Sequence, residues 1–116
     1  MFCEDDELMN LKDEILLTLS RNGKLPTDIA YAEIWETYTS DEDEERYISL
    51  IPNYSYAEYE EFLKNVNFEY DNDYGKQYVQ GYIVMNDGTW FERDDYDGRE
   101  WWKFKKKPEF KAGNKR

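Results

Sequence analysis

In "DDELMNLKDEILLTLSRNGK" the apolar residues Leu8, Leu11, Ile15 and Leu19 recur at steps of three and four, the spacing that lines one face of a helix. Asp5 and Asp6 suit the positive end of that helix, Arg21 suits the negative end, and Asn22-Gly23 offers a left-handed stop. The period changes after Pro26. In "DIAYAEIWETY" Ile29, Tyr31, Glu33 and Trp35 alternate, although Ile29, Ala32, Glu33 and Glu36 also fit a helical step. A second β-prone run, "RYISLI", follows the acidic break "TSDEDEE" and decides for strand: the two runs read as a hairpin with a long, charged tip.

Helical spacing returns in "SYAEYEEFLKNV", where Ser55 and Glu58 form a capping box and Tyr59, Phe62, Leu63 and Val66 make the stripe. "EYDNDYGKQ" then breaks the helix with residues that bond their own backbone or tolerate positive φ. Three strands follow. "QYVQGYIVM" leads into Asp87-Gly88, a two-residue hairpin signal; "TWFER" returns, "DDYDG" turns again and "REWWKFK" closes a β-meander. A two-residue turn sets Val84 opposite Phe91 and Met85 opposite Trp90. Period two sends Trp102 and Phe104 to one face of the last strand and Trp101, Lys103 and Lys105 to the other, so helices packed on a single face leave Trp101 outside. Neighbouring Lys stems are expected to cover part of that ring through a cation–π contact.

The expected fold is therefore α+β: helix, β-hairpin, helix and a three-stranded antiparallel β-meander, with the helices packed on one sheet face. A chain of 116 residues is the size of one domain, expected over residues 1–108, with a flexible basic tail at 109–116. Its 40% hydrophobic and 18% aromatic content is too apolar for a solvated coil. With no apolar run near membrane-spanning length and an acidic start, "MFCEDDELMN", the chain reads as soluble and unexported, which points to the cytoplasm.

Charge narrows the function classes. Residues 101–116 hold seven bases and one acid (+6), leaving eight bases and twenty-six acids (−18) in residues 1–100. A body of that sign repels a phosphate backbone over a Debye length of roughly 8 Å, so direct duplex binding is not expected. The same field attracts a basic surface, including one built to hold DNA or RNA. Asp41, Glu42, Asp43, Glu44 and Glu45 place five like charges in a row at the hairpin tip: a solvated loop, or an anionic finger aimed at a basic groove.

Catalytic and metal chemistry find little support. One cysteine, Cys3, and no histidine exclude disulfides, Cys/His zinc sites and nucleophile–histidine pairs. From Asp71 an EF-hand register finds Asp73, a glycine at 75 one place early and Tyr82 where a Glu belongs; Asp94, Asp95 and Asp97 also miss it. Glu92, Asp94, Asp95, Asp97 and Glu100 lie among aromatics as in a glycosidase cleft, but nothing marks two of them as a pair. No enzyme, cofactor or metal is expected. Trp90, Asp94, Asp95, Tyr96, Asp97 and Trp101, together with the acidic finger, are the candidate partner-binding residues, because exposed aromatics on a charged surface are what interface hot spots are made from.

A long pattern runs through the second half: Tyr-Gly-x-Gln-Tyr at Tyr74 to Tyr78, Asp-Gly-Thr-Trp at Asp87 to Trp90, Glu92-Arg93, Tyr-Asp-Gly at Tyr96 to Gly98 and Glu-Trp-Trp at Glu100 to Trp102. It resembles a group of small proteins of bacteriophage and other mobile-element genomes over residues 25–108. The resemblance implies no specific activity. The lysine cluster after the paired Trp and the acidic first ten residues depart from the group. A phage setting favours proteins that block host machinery or defence, an analogy of class. The resulting expectation is an inhibitor of the anti-CRISPR or DNA-mimic class that binds a basic host protein, such as a nuclease or other nucleic-acid-binding defence protein. A self-associating virion or assembly component, and a carbohydrate-active or carbohydrate-binding module, are the alternatives.

Overall fold

The structure, a computed structural model, describes residues 8–37, 45–71, 79–96 and 99–108. It is α+β: two helices, a five-stranded antiparallel sheet and a two-stranded sheet. The first helix, α1, covers Leu11–Arg21, with Leu11, Ile15 and Leu19 buried as their spacing predicts. It begins later than expected. Leu8 belongs to a short strand, β1 (Leu8–Asn10), and the Asn10 side chain caps the helix by accepting from the Asp13 N–H at 3.0 Å. Asp5 and Asp6, expected at the helix start, lie outside the described residues. At the other end Gly23 takes φ 72°, its N–H bonds to the Ser20 carbonyl at 3.1 Å and that of Lys24 to Leu19 at 2.8 Å, so the left-handed stop closes as a Schellman motif.

After a 3-10 turn at Pro26–Asp28 come β2 (Ile29–Thr37) and β3 (Glu45–Leu50), paired as an antiparallel hairpin from Ala32–Leu50 to Thr37–Glu45. Helix α2 (Tyr56–Asn65) carries the capping box at Ser55 and Glu58. The acidic stretch after it is not all turn: Glu69–Asp71 forms β4, whose pairing with β1 sets Met9 opposite Tyr70. Strands β5 (Val79–Met85), β6 (Trp90–Tyr96) and β7 (Arg99–Lys105) form the meander. Hairpin and meander join into one sheet of order β3-β2-β5-β6-β7.

The β5–β6 register corrects the sequence reading by one residue. Val84 faces Trp90 and Ile83 faces Phe91. The loop has three residues, not two: the Gly88 N–H bonds to the Met85 carbonyl at 3.0 Å, and the Met85 N–H to the Thr89 carbonyl at 2.8 Å. Gly88 takes φ 91°, the left-handed residue that closes a three-residue hairpin, and Asp87 accepts from both the N–H and the hydroxyl of Thr89. A second correction concerns Asp94 and Asp95. Both were expected in a turn, but β6 runs on to Tyr96 because β7 offers a partner all along it, Asp94 facing Trp101 and Tyr96 facing Arg99.

Alternation divides the five-stranded sheet. One face contributes Ala32, Ile34, Ile48, Leu50, Val79, Ile83, Phe91 and Trp102 to a single core cluster, which also holds the buried residues of α1, Phe62 of α2 and Val66 at the end of that helix. Burying each of the larger side chains contributes roughly 1.5–3 kcal/mol. Among the described residues of the opposite face, none is buried. Trp102 therefore lies inside at 5% exposure and Trp101 outside at 38%. No described helix is long and apolar enough to cross a membrane.

Candidate binding surface

The open sheet face is built from the outward positions of each strand: Tyr31, Glu33 and Trp35 from β2, Tyr47 and Ser49 from β3, Tyr82 and Val84 from β5, Trp90, Glu92 and Asp94 from β6, and Trp101, Lys103 and Lys105 from β7. Register places them in rows. Ser49, Glu33, Tyr82, Glu92 and Lys103 run across all five strands, and Tyr31, Val84, Trp90 and Lys105 run across four.

The two ends of the face differ in charge balance. At the β6–β7 end Glu92 lies 3.0 Å from Lys105 and accepts from the Trp90 indole N–H at 3.1 Å. Lys105 first, then Trp90, hold its carboxyl below the ordinary value. At the β2–β3 end the Glu33 carboxylate is bracketed by phenols: Tyr47 donates to Oε2 at 2.5 Å, and Tyr82 donates to Oε1. These bonds, Tyr47's first, lower the Glu33 pKa, while the same carboxylate raises that of Tyr47 and pushes Tyr82 up to about 12. No described Lys or Arg lies within ion-pair distance of Glu33. The rings are braced: Tyr31 meets Tyr82 edge-on at 6.3 Å between centroids, and Trp35 meets Tyr47 at 5.6 Å.

The expected site residues distribute unevenly. Trp90, Asp94 and Trp101 share the open face, with Asp94 directly opposite Trp101. Tyr96 closes β6 at 76% exposure. Asp95 has the opposite parity and faces Glu100 across the ladder. Asp41, Glu42, Asp43, Glu44 and Asp97 lie outside the described residues, as does the tail at 109–116; Glu45 opens β3 opposite Thr37. The cation–π contacts of the described residues fall on Phe68, Tyr70, Trp102 and Phe104, with Lys24 above the last, and Trp101 has none.

The carboxylates that lie among aromatics in the sequence are split by the sheet. Glu92 and Asp94 lie on the open face, whereas Glu100 is buried on the other against Arg93. Arg93 is the centre of a buried network that the sequence reading missed. Its Nη1 lies 2.8 Å from Glu14, its Nε and Nη2 donate to Glu100 at 3.1 and 3.0 Å, and Nη2 also donates to the Tyr70 hydroxyl. Tyr70 in turn donates to Glu14 at 2.5 Å, and the Val79 N–H to Glu100 at 3.1 Å. Burial alone would pull the guanidinium down, but Glu14, Tyr70 and Glu100 more than offset it and hold Arg93 above its ordinary value. The available signal was its spacing: two residues from Phe91, Arg93 had to share the inward face. Among the described residues no group of three or more Cys, Asp or Glu side chains is placed to hold a metal ion.

No protein-family model matches the chain, and neither a curated protein nor a solved structure matches it.

Proposed function

We propose that this protein is a binding protein that docks the open sheet face onto a basic surface of a host nucleic-acid-binding or defence protein and blocks it, as an inhibitor of the anti-CRISPR or DNA-mimic class. The observation that carries the reading is the face itself: a sheet surface with no buried residue and no cation paired with Glu33 among the described residues, lined by Tyr and Trp, on a body of net charge −18. Aromatic rings give contact area at small entropic cost, and surrounding carboxylates steer a basic partner and set its register. In sequence the acidic stretch from Asp41 to Glu45 falls between β2 and β3, the two strands at one end of this face, and it is proposed to act on the same partner.

The test is a pull-down from bacterial lysate with the full chain, washed at low and high salt. A nucleic-acid-binding protein released by salt is expected. Charge reversal at Glu42 to Glu45 and, separately, Trp101→Ala should each weaken its capture. Recovery of phage structural proteins alone, or concentration-dependent self-association without another partner, would replace inhibition with assembly.

A further inference from the structure

Tyr31, Glu33, Tyr47 and Tyr82 line one hollow of about 250 Å³, together with Ser49, Ile51 and Pro52. That is several times the ~30 Å³ share of one liquid water. Its lining brings one carboxylate side chain together with three tyrosines drawn from three adjacent strands. Tyr47 and Tyr82 each occupy one carboxylate oxygen, which leaves acceptor capacity on both.

We propose that this hollow is an aromatic cage for a single arginine side chain of the partner, with the guanidinium forked onto Glu33 and stacked against the tyrosine rings. The inference rests on the open face being the docking surface and names the anchor within it. Three observations favour a cation. Among the described residues no Lys or Arg lies within ion-pair distance of Glu33, unlike Glu92, which has Lys105. The phenol partners of Glu33 favour the ionised carboxylate, keeping it negative. Tyrosine rings carry a negative quadrupole over their faces that attracts a cation. Arginine is favoured over lysine because a planar fork meets both carboxylate oxygens and lies flat on a ring, which a compact ammonium does not.

Neither the buried Arg93 network nor the acidic finger is needed for the test. The full chain is titrated with a short, otherwise neutral arginine peptide, and in parallel with the same peptide carrying citrulline or lysine, followed by NMR of the tyrosine rings. The arginine peptide should shift Tyr31, Tyr47 and Tyr82 saturably and the citrulline peptide should not. Glu33→Gln should weaken arginine binding about tenfold or more, the scale of losing one member of a charged, hydrogen-bonded pair. Tyr47→Ala, at an exposed edge position, should also weaken it while leaving the thermal transition in place, so loss of binding is separable from loss of fold. Equal response to citrulline, an unchanged affinity in Glu33→Gln, or shifts spread evenly over the acidic surface would overturn the cage; lysine binding as tightly as arginine would overturn the choice of arginine. Capture of a basic partner by Glu33→Gln as efficiently as by the unaltered chain sinks the cage and spares the docking surface. Failure of the unaltered chain to capture any such partner sinks the docking reading, and the peptide titration then judges the cage alone.

Discussion

Arg93 Nη1 lies 2.8 Å from Glu14 Oε2, a bond that ties β6 to α1 on the inward face of the sheet. Arg93 is the cation between the partly buried Glu14 carboxylate and the buried Glu100 carboxylate, and both its side chain and that of Glu100 are fully removed from solvent. Arg93→Met therefore leaves Glu14 and Glu100 without their counter-charge, and a loss of about 3–5 kcal/mol is expected in urea unfolding. Replacing Arg93, Glu14 and Glu100 together by apolar residues should cost much less than Arg93→Met alone. Equal losses would show that packing, not charge, holds this network.

Gly81 sits opposite Ile34 with φ 135°, and a Cβ there would lie 2.2 Å from the Glu33 carbonyl oxygen and 2.8 Å from Ile34 Cα. The obstruction is backbone on both counts, so it has little room to relax. Gly81→Ala should cost roughly 3 kcal/mol from collision and strained φ together. Gly88→Ala, also at positive φ but with nothing within 4 Å of the added carbon, should cost only about 1–2 kcal/mol. Thermal melts of the two variants compare them directly.

The Glu33 cluster makes an alkaline signature. Tyr82 ionises at about 12 instead of 10.0 because its hydroxyl donates to Glu33, with burial and the Glu33 charge adding to the effect. Since the folded-state value is the higher one, the associated stability is fully present below pH 10 and is lost as pH rises through about 12. Residue-resolved NMR titration should find Tyr82 ionising at about 12, and Glu33→Gln should bring it down. Tyr70 is also raised, by burial first, and should not respond to that substitution.

Adjacent tryptophans should separate stability from binding. Trp102→Ala removes a core side chain and should cost roughly 3–5 kcal/mol, whereas Trp101→Ala should change stability by less than about 1 kcal/mol and reduce partner capture. Loss of stability in the second comparable to the first would place Trp101 in the core.

Much of this architecture was legible because it follows local periodicity. The α1 stripe, the Ser55 box and the alternation that puts Trp102 inside and Trp101 outside depend on residues within one element. What escaped depends on partners distant in sequence. Nothing near Leu8 signals Asp71, its partner in the two-stranded sheet, and nothing near Glu33 signals Tyr82. The alternation of Tyr31, Glu33 and Trp35 was visible, but the site they form exists only once β2 lies beside β5. The β5–β6 register failed for a smaller reason: Asp87 side-chain bonds to Thr89 stabilise a three-residue loop where Asp-Gly suggested two.

The strand order also governs how the chain reaches this state. Because β2 finds its second neighbour in β5, the hairpin formed in the first half of synthesis has one ladder unfilled until the second half emerges. Loop closure must precede that pairing, so folding should be slower than for a chain whose strands meet only their sequence neighbours. The central seam then acts as the point of no return: before it closes there are two incomplete halves, and after it closes there is one cooperative unit.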